Sequence, residues 1–571
     1  MALAKLILAL SPILALILQP APLITDHSSR IMPHVSLTIP DRRFGVVETY
    51  DDPASAAAIG AGWTRVRFPW SDLQPNNDGE WNSTFFADDR LAAELAVGRE
   101  VVGLIVNTPH WALDDPTVPG VPRGLYLPES DPGNVWATFV RQIVSRYAGR
   151  VDRWIIWNEP DIWDPAYPGR TWGGTVQEFF QLQRVAYNVA KQTNPQAQVH
   201  LSAFTYFWDA NYGRTPFFSL LMDEIQKDPQ SPSHDYYFDV ASANLYFNAD
   251  NIYDLIVWHH GQMQARGFDK PIWLTETNAP PSSDPSWPVA DPAFPISLDE
   301  QAAFVPQAFA MALAAGATRV AVYKMIDTPG DRAANPEPFG LAREDGSRRP
   351  AFAAYQVAAG ALAGFTGASL DVRDERYTQV TVRRGEATTT VLWARSPSPV
   401  QVQVQAHEPQ AILADAFGGR RAIAPRDGAY VVDLPGCTQP RCAIGGAPRI
   451  LIEGAAVSPV APAPGSSTGQ PIVQPTGAPT GTPTQQPTAT SSPTGAPTHT
   501  PSPTRTPTAF AAPTSAPAQS LDPVPMSGEA LPPATTSGPD ALFIAIGVVF
   551  GALIAAYALA RFGPPPGDDL S

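Results

Sequence analysis

Short apolar runs alternate with amphipathic stretches from about residue 44 to about residue 363. Runs rich in β-branched and aromatic residues predict eight strands, at 44–48, 64–68, 101–106, 154–157, 200–204, 238–244, 272–275 and 320–323. Between the third and fourth runs, apolar residues recur at helical spacing from Trp136 to Tyr147, which predicts one buried helix face. Eight strand and helix units of about 40 residues each predict an α/β fold, a (β/α)8 TIM barrel over residues 35–363.

After Gly364 the pattern changes to short strands without helices between them. The predicted strands are 378–382, 389–394, 400–405, 430–434 and 450–452. Val400, Val402 and Val404 alternate with glutamines, which predicts one buried and one exposed face. Residues 364–454 are therefore expected to form a small all-β sandwich domain that packs on the barrel.

The N-terminal segment is typical of export. Within residues 1–22, Lys5 precedes an apolar run, which is the order of charge and apolar residues in a secretory signal peptide. A retained N-terminal anchor is the alternative, because Pro20 and Pro22 crowd the expected cleavage position.

The C-terminal segment is typical of a membrane anchor. Residues 541–560 contain neither a charge nor a proline and are long enough to form one transmembrane helix. Arg561 follows directly, and residues 561–571 are expected to be a cytoplasmic tail. The two ends together predict an exported protein held in the cell membrane by a single pass, with an extracellular head and a cytoplasmic C-terminus.

Proline and charge are unevenly distributed. Twenty of the 63 prolines lie within residues 455–540, among Thr, Ser, Ala and Gly, which predicts a disordered, extended stalk. The formal net charge is -16, from 38 Lys and Arg against 54 Asp and Glu. Such an acidic chain is a poor partner for nucleic acid.

Cys437 and Cys442 are the two cysteines of the chain. In an exported protein they are expected to form a local disulfide. A zinc site would need two more ligands nearby, and the sequence has no second cysteine pair or neighbouring histidine there. Neither a metal-binding cluster nor a phosphate-binding glycine loop is found in the sequence, so no metal and no cofactor is predicted.

Two glutamates follow predicted strands in matching contexts. Glu159 comes after the apolar run that begins at Trp154, and Glu276 comes after the run that begins at Ile272. Glu276 lies 117 residues after Glu159, which is three units of about 39 residues, so the two are expected to end the fourth and seventh strands. The ends of barrel strands form the catalytic face, and a pair of carboxylates there is suited to cutting a glycosidic bond.

These motifs resemble those of the clan A glycoside hydrolases, in particular the β-xylosidase and α-L-iduronidase branch. The resemblance covers about residues 40–365 and extends to cellulase-like members of the clan. It implies a retaining glycosidase acting on oligosaccharides or polysaccharides, with Glu159 as acid/base and Glu276 as nucleophile. Glu159 then has to start protonated, its pKa raised by the nearby negative charge.

The resemblance also implies further contacts around the sugar. Arg67, the later of two arginines on the same side of the second strand, is expected against the nucleophile, and Tyr246 is expected to bond it. Asn158 is expected at the sugar 2-hydroxyl. The remaining expected substrate contacts are His110, Trp111, Asn244 and Tyr323.

The sequence departs from the family pattern at two of these positions. Asn244 stands where many relatives have a histidine, and the eighth strand ends Val322-Tyr323-Lys324 without the common tryptophan platform. Five tryptophans lie in or near predicted loops, where each ring could either pack against the protein or stack on a sugar ring. They are Trp70, Trp163, Trp172, Trp208 and Trp287. A catalytically silent carbohydrate-binding or adhesive barrel is the alternative function, and transglycosylation would use the same residues as hydrolysis.

Overall fold

The computed structural model of the chain describes residues 41–86, 88–165, 170–290, 292, 294–334, 337–439 and 442–454. The predicted signal peptide, stalk, membrane span and cytoplasmic tail lie outside the described residues. Within the described part of the chain, no helix combines the length and apolar character that a membrane span requires.

Eight parallel strands close into a barrel in sequential order, and β1 pairs with both β2 and β8. The strands are β1 (Phe44–Val46), β2 (Trp63–Pro69), β3 (Glu100–Val106), β4 (Arg153–Ile156), β5 (Gln198–Phe204), β6 (Val240–Asn244), β7 (Ile272–Thr277) and β8 (Ala317–Val322). All eight predicted strands are present, and the predicted (β/α)8 barrel is confirmed.

Helices connect the strands on the outside of the barrel. They are α1 (Pro53–Ile59), α2 (Trp70–Leu73), α3 (Asp88–Ala96), α4 (Val135–Tyr147), α5 (Val176–Thr193), α6 (Phe207–Ala210), α7 (Phe217–Lys227), α8 (Ala249–Gln264), α9 (Leu298–Ala314), α10 (Pro329–Ala334) and α11 (Pro350–Leu362). The predicted apolar face between Trp136 and Tyr147 is buried along α4. Short 3-10 helices span Thr49–Asp51, His110–Ala112 and Ser231–Tyr237.

The barrel interior is filled by side chains. Trp63 and Trp273 meet there with ring centroids 5.3 Å apart, and both are buried. A glycine on β1 makes room for this contact, because a Cβ atom on Gly45 would lie 2.3 Å from Trp63 Cε2. The filled interior leaves the carboxyl ends of the strands as the accessible mouth.

A second, antiparallel unit follows the barrel. Its strands are β9 (Gly367–Arg373), β10 (Tyr377–Arg384), β11 (Ala387–Ala394), β12 (Val400–Gln405), β13 (Ala411–Asp415), β14 (Arg420–Ile423), β15 (Ala429–Leu434) and β16 (Arg449–Glu453). Six of them form a sheet in the order β14-β13-β16-β11-β10-β9, and β12 pairs with β15 in a two-stranded sheet. The valines of β12 are buried and its glutamines exposed, as the alternation predicts.

Apolar side chains hold the two sheets together and join them to the barrel. Leu413, Val432 and Leu451 belong to a buried cluster between the two sheets. Val391 and Trp393 of β11 belong instead to the main core that includes helix α9. Cys437 and Cys442 form a disulfide between β15 and β16, with their Cα atoms 5.5 Å apart.

Candidate active site

The first glutamate is presented by an unusual backbone just past β4. Trp157 and Glu159 have φ angles of 73° and 48°, in the left-handed region that residues other than glycine rarely adopt. Backbone hydrogen bonds hold this turn, from Trp157 N to Ile105 O at 2.8 Å and from Glu159 N to Ala203 O at 2.9 Å. Neighbouring strands on both sides therefore maintain the turn, as is common where a functional side chain has to be aimed.

Glu276 lies within β7, and both of its carboxylate oxygens have a partner. Arg65 Nη1 is 2.5 Å from Glu276 Oε1, and the Tyr246 hydroxyl donates to Oε2. Glu276 and Arg65 are each 5% exposed, so the charge and the hydrogen bond act with little solvent screening. Glu276 raises the pKa of the Arg65 guanidinium, and burial together with Glu276 raises the pKa of Tyr246 well above its ordinary value. Both partners thus keep their protons, and each directs a hydrogen-bond donor at one oxygen of Glu276.

The structure places Arg65, which the sequence analysis did not select, against the nucleophile, and the expected contact of Arg67 with it stays a prediction. Both arginines belong to β2, and Arg65 is the more buried of the two. Glu276 sits inside its strand, where the pairing of β7 with β8 shifts register between Leu274 and Thr277. This register brings Glu276 to Arg65, which a count along β2 alone does not reveal.

Glu159 has a different environment from Glu276. It is 1% exposed, its Oε1 accepts a hydrogen bond from Asn244 Nδ2 at 2.8 Å, and its Oε2 has no hydrogen-bond partner among the described residues. Burial first, and then the negative charge of Glu276, raise the pKa of Glu159 well above its ordinary value. A buried carboxyl beside a carboxylate that is already paired with arginine is favoured in its protonated form.

Asn244 links the two glutamates. It pairs with Glu276 in the β6–β7 register while its side chain donates to Glu159. The Thr275 hydroxyl donates to Asn244 Oδ1 at 2.9 Å, which turns the amide NH2 group toward Glu159 and toward Asn158 Oδ1 at 3.3 Å. Sequence reasoning missed Thr275, because a threonine in a β-strand is common and only its contact shows its role.

Two further acidic residues that follow β4 in the chain have structural roles. Asp161 Oδ2 accepts from Thr205 N and Thr205 Oγ1, each at 2.8 Å, and from Tyr206 N at 3.0 Å. It thereby ties the turn after β4 to the end of β5, and burial raises its pKa to about 7. Glu178 forms a capping box with Thr175 at the start of α5.

The other predicted substrate contacts occupy the same end of the barrel. His110 is exposed at the start of its 3-10 helix, and the half-buried Trp111 donates from Nε1 to Gln74 O at 2.7 Å. Tyr323 follows β8 and is half-buried against Phe339, with ring centroids 5.4 Å apart. Phe339 also packs edge-on against Tyr246 at 6.0 Å, so it supports a residue that contacts Glu276.

Most of the loop tryptophans serve packing. Trp70, Trp172, Trp208 and Trp287 are at most 5% exposed. Trp163 is partly exposed, donates from Nε1 to Trp208 O at 3.0 Å and lies under the Arg214 guanidinium at 4.5 Å. Four of the five therefore have no open ring face to offer a sugar.

No protein-family model and no curated protein matches the chain. A family 39 glycoside hydrolase from the gut symbiont Bacteroides cellulosilyticus WH2 has a similar structure, with a TM-score of 0.52, 16% identity, and coverage of 72% of this chain and 81% of that one. A glucosidase from Croceicoccus marinus aligns with a TM-score of 0.49 and 13% identity over 72% of this chain and 95% of that one. The chain has the TIM-barrel fold of the Bacteroides cellulosilyticus enzyme.

Proposed function

We propose that this protein is a retaining glycoside hydrolase that cleaves O-glycosidic bonds of oligosaccharides or polysaccharides. One observation supports this most strongly, namely the contrast between two buried glutamates in the barrel mouth. Glu276 has a guanidinium and a hydroxyl on its oxygens, whereas Glu159 has one neutral amide and one oxygen without a described partner. An ionised and a protonated carboxyl side by side are what a two-glutamate double displacement requires.

In the first step Glu276 acts as the nucleophile. Its carboxylate attacks the anomeric carbon, and the bond from that carbon to the leaving oxygen breaks. Glu159 gives its proton to that oxygen, so the leaving group departs as a neutral alcohol and a glycosyl ester forms on Glu276. Arg65 and Tyr246 orient the attacking carboxylate throughout.

In the second step Glu159 acts as a base. Esterification removes the negative charge of Glu276, which is one of the causes of the raised pKa of Glu159. The pKa of Glu159 then falls, and its carboxylate can take a proton from water. The oxygen of that water attacks the anomeric carbon and expels Glu276 as a carboxylate, so two inversions retain the original configuration. A sugar hydroxyl in place of the water would give transglycosylation.

The experiment that tests the proposal is hydrolysis of a panel of aryl β-glycosides by the full chain, with Glu276→Gln as the matched variant. We expect turnover of at least one glycoside, and we expect Glu276→Gln to lower kcat by about 1,000-fold or more because the nucleophile is lost. Proton NMR of the first product formed then identifies which anomer of the sugar is released. Initial release of the anomer opposite to that of the substrate would exclude the retaining mechanism.

The alternative of a silent carbohydrate-binding barrel makes a distinct prediction in the same assay. Such a protein would bind oligosaccharides without turning any of them over, and Glu276→Gln would bind as the parent does. The environments of the two glutamates favour the enzyme, because a binding surface has no need for two buried glutamates with such different partners.

We also propose that the enzyme is exported and anchored at the cell surface. Residues 1–22 and 541–560 support this proposal through their apolar sequences alone. We expect the chain to stay in the membrane fraction after alkaline carbonate washing and to lose its head to protease added outside intact cells. Recovery of the whole chain in a soluble fraction would exclude the anchor.

A further inference from the structure

A cavity of about 350 Å³ opens in the β domain, and none of the residues that line it belongs to the barrel. Its walls come from β13, β14 and β16 of the six-stranded sheet, with Asp433 of β15 from the two-stranded sheet. Three of the lining residues are arginines, namely Arg420, Arg421 and Arg449, and two are aspartates, Asp415 and Asp433. The volume is in the range of sites for small ligands, and the lining has an excess of positive charge.

The strand register places two of these arginines on one face of the six-stranded sheet. Arg421 pairs with Leu413, and Arg449 pairs with Asp415, two residues further along β13. Since successive side chains of a strand alternate between faces, Leu413 and Asp415 share a face, and Arg421 and Arg449 lie beside them. Leu413 belongs to the apolar cluster between the two sheets. The cavity therefore continues the space between the sheets, where apolar side chains give way to charged ones.

The arginine side chains at this cavity are unpaired. Within the described part of the chain, Arg420, Arg421 and Arg449 make no side-chain hydrogen bond, ion pair or ring contact. Arg420 and Arg421 are exposed on the edge strand β14, where charge also opposes pairing with another chain. Edge protection does not account for Arg449, because it is half-buried and belongs to β16, between β13 and β11. A half-buried guanidinium without a counter-charge is costly, so its position at the cavity indicates a ligand that supplies an anion.

The two aspartates of the lining have other partners. Asp415 Oδ1 accepts from Phe417 N and from Gly419 N, each at 2.9 Å. Asp433 Oδ1 accepts from Gln401 Nε2 at 2.8 Å. Each carboxylate thus supports a turn or a strand pair, and the arginines are left for an external anion.

Two features favour an acidic sugar as that anion. Residues 364–454 contain ten arginines and nine acidic residues, whereas the whole chain has 38 basic and 54 acidic residues, so the β domain repels a polyanion less than the rest of the chain. Phe417 is 45% exposed in the turn between Asp415 and Gly419, two residues of the cavity wall. An exposed aromatic ring can stack on the face of a sugar ring, which inorganic phosphate lacks.

We propose that this cavity binds the carboxylate of an acidic sugar, such as a uronic acid residue of a polysaccharide, through Arg421 and Arg449. Arginine suits this ligand, because its planar guanidinium matches the two oxygens of a carboxylate. The inference goes beyond the proposed hydrolysis, since it assigns a second site that binds without cleaving. Binding alone tests it, whether or not the barrel turns over a glycoside.

The test is isothermal titration calorimetry of the full chain at low salt with four probes. Two probes are acidic, trigalacturonate and a xylotriose that carries glucuronic acid, and two are references, neutral galactotriose and inorganic phosphate. We expect at least one acidic probe to bind about 10-fold or more tightly than galactotriose, and to weaken as sodium chloride is added, because charges near the surface are screened. Phosphate at equal ionic strength should bind more weakly, because it has no ring to stack on Phe417.

Four variants locate the binding. Arg421→Gln and Arg449→Gln should each weaken the acidic probe by about 10-fold, because each removes a charge-assisted hydrogen bond. Asp415→Asn keeps the Oδ1 acceptor of its turn and removes a negative charge, so it should tighten binding by about threefold. Arg426→Gln removes an exposed arginine between β14 and β15 that does not line the cavity, and it should leave the affinity unchanged. Because Arg421 is exposed, its variant stays informative even where Arg449→Gln folds poorly.

Weaker binding in Arg421→Gln, tighter binding in Asp415→Asn and no change in Arg426→Gln would establish the site. Equal affinities for galactotriose and both acidic probes would overturn it, as would binding that survives both cavity-arginine variants. Tighter binding of phosphate than of either acidic probe would reassign the cavity to a small oxyanion. Self-association of the chain that Arg421→Gln abolishes would reassign it to a contact between copies.

Failure of the proposed hydrolysis looks different from failure of this site. A chain that turns over no glycoside but binds an acidic probe through Arg421 and Arg449 would contradict the enzyme and leave the site in place. A chain that hydrolyses glycosides with unchanged binding in Arg421→Gln and Arg449→Gln would contradict the site alone.

Discussion

At the scale of single residues, the site depends on which of two similar side chains meets a carboxylate. Arg65 and Arg67 belong to one strand, and Arg65, the more buried of the two, pairs with Glu276. Glu159 and Glu276 are the same residue type, yet Glu276 has a guanidinium and a hydroxyl as partners whereas Glu159 has a neutral amide. At this scale the role of each side chain follows from its immediate neighbours and not from its residue type.

The two arginines provide a matched pair of variants. Arg65→Met removes a buried, charge-assisted contact from the nucleophile and is expected to lower kcat/KM by about 100-fold or more. Arg67→Met should lower it by less than about 10-fold, because its side chain is less buried and more open to solvent screening than that of Arg65. Steady-state kinetics on one aryl glycoside compare the two, with circular dichroism to check folding. A larger loss in Arg67→Met would reverse the assignment.

The pH dependence of the reaction provides a second prediction. Glu159 has to be protonated in the first step, so activity is lost as the pH rises through its raised pKa. The hydrogen bond from Asn244 lowers that pKa, and Asn244→Leu should therefore move the alkaline limb of kcat/KM to higher pH. The measurement uses a glycoside with a poor leaving group, for which protonation matters most. An alkaline limb that moved to lower pH would contradict the assignment of Glu159 as the proton donor of the first step.

Removal of Glu159 itself should separate the two steps. Glu159→Ala is expected to release an activated aryl leaving group in a rapid first phase, because such a group departs without a proton. Slow hydrolysis of the glycosyl ester follows, since no base activates water. Stopped-flow absorbance would record the burst, and a folded variant without one would remove Glu159 from the acid role.

At the scale of elements, a close contact between two strands requires a small residue on one of them. A strand at the edge of a sheet is protected by charged side chains. Gly103 on β3 lies where a Cβ atom would be 2.4 Å from Trp154 Cζ3 on β4. Strand β14, at the edge of the six-stranded sheet, exposes Arg420 and Arg421. Exposed charges on an edge strand oppose pairing with another chain.

Two glycine substitutions should have opposite effects on stability. Gly103→Ala forces Trp154 or the strand to move and is expected to lower the free energy of unfolding by about 1–3 kcal/mol. Gly261→Ala lies in the interior of α8 with nothing within 4 Å of the new Cβ, and should raise it by about 0.4–1 kcal/mol. Denaturant unfolding of both variants measures the difference. Equal changes in the free energy of unfolding would show that the close contact at Trp154 does not limit stability.

At the scale of the whole molecule, the barrel and the β domain share one apolar core. Trp393 and Ile450 of the β domain lie in the same buried cluster as the barrel helices. Polar contacts join them as well, from Gln307 Nε2 to Gly446 O at 3.0 Å and between Arg373 and Asp254 at 2.8 Å. The β domain thus covers a barrel face that would otherwise be open to water.

Removal of the β domain should therefore destabilise the barrel. A fragment of residues 35–363 is expected to aggregate, because apolar side chains of α9 lose their cover. A fragment of residues 35–454 should stay monomeric and unfold in one calorimetric transition. Sedimentation and calorimetry of the two fragments provide the comparison. A soluble 35–363 fragment with an unchanged Tm would show that the two units are independent.

The sequence by itself determined the strand order, the buried face of α4 and the two glutamates at strand ends. These features are local, since the periodicity of apolar residues and the position of a polar residue after a strand are readable within a few residues. It missed β9, β13 and β14. β9 is only partly buried and β14 is largely exposed, so neither carries a strong apolar signal, and the Ala-Ile-Leu-Ala run of β13 suits a helix equally well.

Only the tertiary structure decided which side chains meet at the barrel mouth. The pairing of Arg65 with Glu276 depends on the stagger of eight strands and on register shifts in β7, which no single segment encodes. The ion pair between Glu48 and Lys324 depends on the closure of β1 onto β8, because the two residues lie far apart in the chain. Closing a barrel brings distant strand ends together at a few ångströms, and at that range each charge takes its properties from its neighbours.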